Sequence, residues 1–420
     1  MKKSLLISMM LILVFVGTFS PIYAVEKTQV KVLTWWLSAF NGYLQKMEKD
    51  FEAKNPNVDI VMQNFDGNIN EHLATRIAAG DLPDLVNLNN ETAVTYYQQG
   101  ALEPLDFYLS KQEINTYITS LWNRTKFDGK FGYTFPWYAS PQVLFINNDL
   151  FKKAGLDPVK DSPKTWEDMY RVAKIIKMKT GVYGFTMEFA NIAWEEVLRV
   201  GGKVFADDLS KVAFNTPKVA SRLEYFRKLY AEDLLPKSLP DYQTARAMFD
   251  QGQLAMFPLG ISMYRWIKAE APQLNFSVTP YPVSPKGANQ LHVSMMNFVL
   301  MKGSKVKKEA VAFAKFITSA KAQIEFAKGQ ASIIPATKVS VESDPFFAKG
   351  TDGKARAQLL AAKTMKNCDN LICTKIPKNV DQIYNTIRDQ FLAAIRGEKS
   401  VKDALKAAEK QANQMISANK

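Results

Sequence analysis

Strand-like and helix-like hydrophobic patterns alternate along the first part of the chain. Leu44, Met47 and Phe51 recur at the spacing of one helical face, and a short β-rich run stands on either side of that helix. The predicted order is a strand over 29–34, a helix over 41–54, a strand over 58–62, a helix over 71–79 and a strand over 84–88. Strands and helices that alternate at this spacing form βαβ units, so the pattern predicts an α/β fold with a mostly parallel sheet.

A later apolar run is interrupted by a proline and two large aromatic residues. Asp128 and Gly129 predict a turn between two β-rich runs, and Pro136 cannot donate a hydrogen bond to a sheet ladder. Trp137 and Tyr138 stand where such a strand would leave one sheet and enter another, which predicts a position in a cleft. The alternative is a hairpin whose two aromatic side chains are buried in a core, as large aromatic residues usually are.

The carboxyl ends of three predicted strands supply further candidates for a binding site. Parallel α/β sheets place ligand groups just beyond these ends. The candidates are Trp35, Trp36, Asp66, Asn89 and Glu91. The alternatives are burial of either tryptophan, a turn role for Asp66, and a capping role for Glu91 at a helix N-terminus.

The N-terminus has the pattern of a secretory signal peptide. Lys2 and Lys3 precede an apolar run over 5–16, and Ala24 supplies the small residue of a cleavage site. Retention as a membrane anchor is the alternative, but the apolar run is short for a span. Cleavage would leave 396 residues, which suit two lobes better than one core. We expect a soluble protein in the periplasm or outside the cell.

Cysteine content and net charge narrow the function further. Cys368 and Cys373 belong to an exported chain, so a local disulfide is favoured over two free thiols. The formal net charge of +13 raises the question of a nucleic-acid partner. The lysines, however, are spread singly among acids, as on solvated helix faces, and no nucleic-acid motif accompanies them. We therefore expect no nucleic-acid partner.

Three segments of the chain resemble the extracellular carbohydrate-binding proteins that serve ABC importers. They are GDLPDLVN at 80–87, the stretch 127–156 with PKTWED at 163–168, and Gly252 followed by Ala255, Met256 and Gly260. The resemblance implies a maltose-binding-protein-like, two-lobed periplasmic-binding-protein fold with three hinge crossovers. The implied division is a signal peptide over 1–24, an N-terminal lobe of 25–136 and 292–333, and a C-terminal lobe of 137–291 and 334–420.

The resemblance also adds candidate ligand contacts in the second lobe. An aromatic residue near Trp194 often faces the sugar in such proteins, and packing is the alternative. This chain has Ser262 where relatives commonly have a tryptophan, which moves that stacking contact to Tyr264 or Trp266. His292 replaces part of a usual glycine pair at the expected second crossover, where a partly exposed strand-end histidine is the alternative.

Residues of these types predict the capture of a sugar or oligosaccharide without chemical change. Aromatic faces pack against sugar C–H groups, while carboxylates and amides bind hydroxyls. Closure of the hinge would present the ligand to the membrane permease of an ABC importer, and we expect a monomer with no cofactor and no metal. The motifs of serine hydrolases, phosphate loops and zinc peptidases are missing from the sequence. The alternatives are a secreted glycoside hydrolase with two cleft carboxylates, and a binding protein for a non-sugar solute such as a polyamine.

Overall fold

The structure is a computed structural model that describes residues 27–35, 37–282, 292–329, 332–338, 344–349, 353–366, 377 and 379–418. The strands are β1 Thr28–Trp35, β2 Val58–Phe65, β3 Leu85–Asn89, β4 Phe135–Asn147, β5 Tyr183–Phe185, β6 Leu254–Gly260, β7 Phe276–Thr279, β8 Val293–Leu300 and β9 Ile334–Pro335. The α-helices are α1 Asn41–Glu52, α2 Ile69–Ala78, α3 Asn90–Gln98, α4 Lys111–Ile114, α5 Thr119–Asn123, α6 Asn148–Lys153, α7 Trp166–Thr180, α8 Ile192–Arg199, α9 Pro217–Ala231, α10 Tyr242–Asp250, α11 Met263–Glu270, α12 Lys307–Ile317, α13 Ala320–Gly329, α14 Pro345–Lys349, α15 Gly353–Lys366, α16 Val380–Arg396 and α17 Val401–Ala418.

The first three strands pair in parallel, as do β5 and β6, whereas the other strand pairs are antiparallel, so the sheet is mixed and not mostly parallel. β1 pairs with β2 over its whole length, from Thr28 to Trp35, and pairs with β3 on its other edge. Helix α1 connects β1 to β2 and buries Leu44, Met47 and Phe51, the residues of the predicted helical face. The βαβ prediction for this part of the chain is therefore confirmed.

Strand β4 belongs to both lobes and is the first crossover between them. Its residues 135–141 pair with β8, and Tyr138 and Ala139 also pair with β9. Its residues 142–147 pair with β6 and β7 instead. The strand order β2-β1-β3-β8-β4-β6-β5 consequently runs from one lobe into the other. β7 pairs with the second-lobe part of β4, whereas β8 and the short strand β9 pair with its first-lobe part, so the chain returns to the hinge twice more and the two-lobed fold is confirmed.

The exchange of strand partners lies later in the chain than the sequence predicts. The pairing with β8 shifts register between Pro136 and Tyr138, so the proline does disturb the ladder. The strand nevertheless continues, and its neighbours change only between Pro141 and Gln142. Asp128 forms the predicted turn by accepting two backbone hydrogen bonds, but helix α5 rather than a strand precedes it.

Two buried clusters fill the described part of the chain. The larger runs from α1 through the hinge strands into the second lobe and includes Trp137, Phe145 and Phe226. The smaller lies in the first lobe around Leu73 and Val86. Because the larger cluster continues across β4 and β8, the hinge strands are packed from both lobes.

Predicted helix caps begin two helices of the second lobe. Thr165 and Asp168 form a reciprocal capping box at the start of α7. The Thr216 hydroxyl accepts a hydrogen bond from the Val219 amide, and Pro217 occupies the first helical position of α9. Helix α16 packs against α8, α9 and α17. The end of the chain therefore packs on the second lobe and places α16 beside the cleft.

Candidate functional site

A cavity of about 410 Å³ lies between the two lobes, and we call it the outer cavity. Its walls come from the N-terminus of α3 in the first lobe and from α8 and α16 in the second, with residues of the second crossover between them. Its polar and aromatic lining consists of Asn89, Asn90, Glu91, Thr95, Asn191, Trp194, His292, Ser294, Asp381, Tyr384 and Asn385. Four amides, two carboxylates and two large aromatic rings therefore face one space.

Helix α3 begins at the carboxyl end of β3 and brings polar groups into the outer cavity. Asn89 is its N-cap, because Asn89 Oδ1 accepts a hydrogen bond from the Thr92 amide at 2.8 Å. Asn90 and Glu91 follow in the first turn and line the cavity. Glu91 therefore does not cap the helix. Its carboxylate is exposed and is favoured by the positive end of the helix dipole.

Trp194 and His292 meet edge to face in the wall of the outer cavity. Their ring centroids lie 5.2 Å apart, and the ring planes form an angle of 87°. Trp194 belongs to α8 of the second lobe. His292 immediately precedes β8, and its carbonyl accepts a hydrogen bond from the Gln142 amide at 2.8 Å. The Trp194 indole therefore packs against a residue of the hinge.

His292 forms an ion pair with the second lobe. His292 Nδ1 lies 3.2 Å from Glu195 Oε1. Burial by itself would lower the pKa of His292, but the charge and hydrogen bond of Glu195, together with the charge of Glu91, raise it above its ordinary value. The imidazole therefore keeps its proton to a higher pH than a free histidine does, and it joins the second crossover to α8.

A buried ion network anchors α8 in the second lobe. Glu196 accepts hydrogen bonds from Arg199 Nε at 2.9 Å and from Arg222 Nε at 2.6 Å, and all three side chains are buried. Arg199 also lies 3.6 Å from Glu195 and donates a hydrogen bond to Gln142 Oε1 at 2.7 Å. Because Gln142 lies on β4, the network connects α8 to the first crossover.

A smaller cavity of about 140 Å³ adjoins the outer cavity, and we call it the inner cavity. The two cavities share Asn191 and His292. The lining of the inner cavity consists of Gln142, Met187, Glu188, Asn191, Glu195, Arg199, Tyr242, Pro258, Leu259, Gly260, Tyr281 and His292. These residues belong to the second lobe or to a crossover, so the inner cavity extends the cleft into the second lobe.

Glu188 lines the inner cavity without a basic partner. Glu188 Oε1 accepts a hydrogen bond from Asn191 Nδ2 at 3.3 Å, and no lysine or arginine of the described residues forms an ion pair with it. Burial and the negative charge of Glu195 raise the pKa of Glu188 to about 7, and the charge of His292 only partly opposes them. The carboxyl group therefore changes its charge near neutral pH.

We expect Glu188→Gln to stabilise the ligand-free protein at alkaline pH. Folding raises the pKa of Glu188 from 4.5 to about 7, so the folded state holds this proton where the unfolded chain has lost it. The contribution of Glu188 to stability consequently falls as the pH rises from about 4.5 to 7 and then stays level. Glutamine does not ionise, so the expected gain is about 1–3 kcal/mol at pH 8 and close to zero at pH 4. Denaturant titrations at both pH values measure it, and equal gains at the two would contradict the argument.

Arg124 contributes a buried positive charge to the first-lobe side of the cleft. Arg124 Nη1 donates a hydrogen bond to the Val293 carbonyl at 2.7 Å, while Nε and Nη2 have no hydrogen-bond partner among the described groups. Burial lowers the pKa of Arg124 to about 10, and the charge of Glu91 counteracts that shift. The charge of Glu91 therefore favours the charged form of Arg124 near the start of β8.

The geometry of a ligand-sized cavity between two hinged lobes agrees with the family comparison. The family pattern of the bacterial extracellular solute-binding protein matches residues 36–324, which is more than half of the chain. This chain belongs to that family. The family is one of binding proteins, which accounts for a site made of amides and aromatic rings and not of an activated nucleophile.

Individual relatives of this solute-binding protein cover nearly all of its length. The chain is 27% identical to the diacetylchitobiose binding protein DasA of Streptomyces coelicolor, over 92% of this chain and 90% of that protein. It is 25% identical to the sn-glycerol-3-phosphate-binding periplasmic protein UgpB of Brucella melitensis, over 92% and 93%. The structure of the cyclic α-maltosyl-1,6-maltose binding protein of Arthrobacter globiformis superposes with a TM-score of 0.80 at 21% identity, over 93% and 100%. That last likeness is one of fold.

Neither a membrane-spanning helix nor a metal-binding cluster occurs within the described ranges. None of the helices within the described ranges has both the length and the apolar character that crossing a bilayer requires. Within those ranges, no group of three or more histidine, cysteine, aspartate or glutamate side chains is arranged to hold a metal ion.

The structure contradicts the predicted role of Trp137 in ligand binding. The side chain is fully buried, and its ring stacks on Phe326 with centroids 4.7 Å apart and also packs on Phe298. The reason is the late exchange of strand partners, since Trp137 still belongs to the first-lobe part of β4. Trp35, Trp137 and Trp194 consequently do not surround one common cavity, and Trp194 is the one of these three that lines the outer cavity.

Three other predicted residues make contacts within the protein. Tyr138 is half-buried and packs on Trp137, and burial raises the pKa of its hydroxyl. Ser262 shares hydrogen bonds with Ser140, at 2.9 Å between the hydroxyls and 3.0 Å from the Ser262 amide. Tyr264 packs edge to face on Phe276. None of the three lines the outer or the inner cavity, so their ligand contacts stay predictions.

The remaining candidates lie elsewhere in the first lobe or beyond the described residues. Trp35 is half-buried, and its Nε1 donates a hydrogen bond to the Gly67 carbonyl at 2.9 Å. Asp66 is exposed beside it, and neither residue lines the two cavities. The predictions for Trp36 and for the pair Cys368 and Cys373 lie outside the described residues.

Several lining residues were not predicted from the sequence. They are Asn90, Gln142, Glu188, Asn191, Glu195, Arg199, Tyr242, Tyr281, Asp381, Tyr384 and Asn385. One signal in the sequence was the spacing of Glu195, Glu196 and Arg199 on α8. Opposite charges three and four residues apart on an otherwise apolar helix indicate ion pairs that are buried. Asp381, Tyr384 and Asn385 reach the outer cavity because α16 packs on α8.

Proposed function

We propose that this protein captures a sugar or oligosaccharide between its lobes and delivers it to the membrane permease of an ABC importer. The observation that carries the proposal is the lining of the outer cavity. Trp194 and Tyr384 supply flat aromatic surfaces, and Asn89, Asn191 and Asn385 supply amides that both donate and accept hydrogen bonds. Sugars present the matching combination of apolar C–H faces and hydroxyl groups.

Hinge closure follows from where the lining residues lie. The first lobe contributes the start of α3, and the second contributes α8 and α16, so a ligand in the outer cavity contacts both lobes at once. A ligand that contacts both lobes favours the closed form, because it makes all of its contacts only when the lobes are closed. We propose that β4, β8 and β9 act as the hinge, and that the first boundary between the lobes falls between Pro141 and Gln142, five residues later than the sequence predicts.

We also propose that the protein is exported and acts as a soluble monomer. Cleavage of the signal peptide over 1–24 would release it in soluble form into the periplasm or the extracellular space, where it would act as a monomer. A disulfide between Cys368 and Cys373 would form in that oxidising compartment. Export explains how a binding protein meets the solute before the permease does.

Sugar is favoured over the other solutes by composition. A polyamine site requires several carboxylates without partners in the protein, whereas the outer cavity has four asparagines and two carboxylates, Glu91 and Asp381. In the inner cavity Glu195 is paired with His292, which leaves Glu188 as the one acid of that lining without an ion pair among the described residues. The DasA relative is named for a disaccharide derivative, which supports the same class of ligand. A glycoside hydrolase would need two carboxyl groups beside the glycosidic bond, one to protonate the leaving oxygen and one to act as base or nucleophile. Binding without hydrolysis is the outcome that separates the two functions.

A thermal-shift screen of the exported protein tests the proposed function. The screen contains monosaccharides and oligosaccharides, with sn-glycerol 3-phosphate and spermidine as non-sugar solutes. We expect at least one saccharide to raise the melting temperature by a few degrees in a saturable manner, since a hundredfold excess over the dissociation constant contributes about 2.7 kcal/mol. The recovered saccharide should be unchanged when its reducing ends are measured.

Other outcomes of the screen would contradict the proposal. A saturable shift with spermidine or glycerol phosphate and with no saccharide would assign the protein to another solute class. Newly released reducing ends would indicate the hydrolase.

A further inference from the structure

The inner cavity has room for no more than one ring. Its volume is about 140 Å³, close to that of an engineered protein cavity of about 150 Å³ that holds benzene, so it admits at most one sugar ring and excludes a disaccharide. The inner and outer cavities adjoin, because Asn191 and His292 line both of them. A saccharide in the outer cavity can therefore place one end unit in the inner cavity.

Most charged groups around the inner cavity already compensate one another. Arg199 contacts Glu196 at 2.9 Å and Glu195 at 3.6 Å, and Glu195 also contacts His292 at 3.2 Å. Glu196 additionally pairs with Arg222. These contacts leave the cations of the lining paired with carboxylates of the protein itself.

Glu188 is the exception in this lining. It is half-buried, it receives one hydrogen bond from Asn191, and it forms no ion pair with a described lysine or arginine. The nearest charges that act on it are those of Glu195 and Asp241, which repel its ionised form, and that of His292, which is already shared with Glu195. A partly buried carboxylate among other acids is unfavourable unless a cation joins it.

We propose that the inner cavity binds the terminal ring of the saccharide and that Glu188 pairs with a protonated amino group on that ring. The ligand class is then an amino sugar or an oligosaccharide that ends in one. This inference rests on the proposed function, because it concerns one end of the same saccharide. It assigns Glu188 as a specificity-determining residue and Trp194 as a contact for the neighbouring unit.

The lining of the inner cavity favours an ammonium group on the terminal ring over a hydroxyl group or an acetylated amino group. An ammonium group carries a full positive charge and three hydrogen-bond donors, so it satisfies the carboxylate in both respects. A hydroxyl group donates a hydrogen bond but leaves the charge of Glu188 beside Glu195. An acetylated amino group is uncharged and adds volume in a cavity that has room for at most one ring.

Calorimetric titration of the exported protein with matched sugars tests the inference. The probes are glucosamine and its β-1,4-linked dimer, each compared with its hydroxyl counterpart, glucose and cellobiose, at pH 7. We expect the amino sugars to bind at least tenfold more tightly than the hydroxyl sugars. Titrations in two buffers that differ in ionisation enthalpy should show that amino-sugar binding releases a fraction of a proton, because the ammonium group favours the ionised form of Glu188.

Variants separate the charge of Glu188 from its shape. Glu188→Gln should remove the advantage of the amino sugars and the proton release, while the affinity for hydroxyl sugars should change by less than threefold. Glu48→Gln is the matched control, because Glu48 is also a half-buried acid whose pKa burial raises, but it lies on α1. We expect this control to leave every affinity unchanged.

The inference and the proposed function fail in different ways. If neither amino sugar binds, if each binds no better than its hydroxyl counterpart, or if Glu188→Gln weakens both classes alike, the inference is wrong. The proposed function then still stands or falls with the saccharide screen. If no saccharide of that screen binds, both are wrong.

Discussion

Replacing Glu196 by glutamine is expected to lower the free energy of unfolding by about 3–5 kcal/mol. The carboxylate lies between the guanidinium groups of Arg199 and Arg222, and none of the three residues is more than 6% exposed. Glutamine keeps the shape and removes the charge. Arg222 is then left without a carboxylate partner among the described residues, and Arg199 is left with Glu195 at 3.6 Å. Equilibrium denaturation in guanidinium chloride at pH 7 measures the loss.

The surface pair of Glu232 with Lys174 provides the control for this experiment. The two side chains lie 2.9 Å apart and are solvent-exposed, so Glu232→Gln should cost less than about 1 kcal/mol. Similar small losses in both variants would show that the buried network does not anchor α8.

The pH dependence of the same variant provides a second check. Burial alone would raise the pKa of Glu196, but the charges of Arg222 and Arg199 hold it below its ordinary value of 4.5. The stabilisation is therefore fully present above about pH 4.5 and is lost as the pH falls further. The difference between wild type and Glu196→Gln should consequently shrink at acid pH. A difference that stays constant would contradict the assignment of the charges.

Replacing Trp194 by alanine is expected to weaken saccharide binding by about thirtyfold or more. Tryptophan contacts at the centre of an interface commonly contribute about 2 kcal/mol or more, and tenfold in affinity corresponds to about 1.4 kcal/mol. Trp194 is only partly buried in the ligand-free protein, and it lines the outer cavity beside His292. Its loss should therefore affect the ligand more than the fold. Titration calorimetry with the best saccharide of the screen measures the change.

Two variants make this result specific to the aromatic surface. Trp194→Phe should recover most of the affinity, because it keeps a flat ring in the same wall. Trp137→Phe should leave the affinity near the wild-type value, because Trp137 is buried in the core and does not line the cavity. An unchanged affinity in Trp194→Ala would remove Trp194 from the site.

The architecture was largely predictable from the sequence because it depends on local periodicity. The face formed by Leu44, Met47 and Phe51 is buried in α1, and Thr216 with Pro217 begins α9 as their residue types favour. Such signals act within one element and do not require knowledge of its neighbours. The two-lobed arrangement followed from the family resemblance, whereas the strand order was not predicted.

The site was predicted less well because it depends on where elements meet. Asn89 and Glu91 line the outer cavity. They could be singled out from the sequence because the carboxyl end of a strand is recognisable from local sequence. Trp137 was misplaced because the exchange of strand partners occurs after Pro141, and the pairing of β4 with β8 involves residues more than 150 positions apart along the chain. No local pattern specifies that register.

The residues that were missed have the same explanation. Tyr384 and Asp381 reach the outer cavity because α16 packs on α8, although the two helices are separated by most of the second lobe in sequence. Glu188 is an ordinary surface acid by residue type. Its unusual pKa arises from burial and from Glu195, which the sequence alone does not place beside the same cavity.

A crystal structure of the exported protein with the tightest-binding saccharide of the screen tests the central claim most directly. We expect electron density for the saccharide between the lobes, with one ring against the Trp194 indole and with hydroxyl groups that donate hydrogen bonds to Glu91 of the first lobe and form hydrogen bonds with Asn191 of the second. Density for the saccharide at any other surface, or a ligand that contacts one lobe only while the cleft between α3 and α8 is empty, would contradict it.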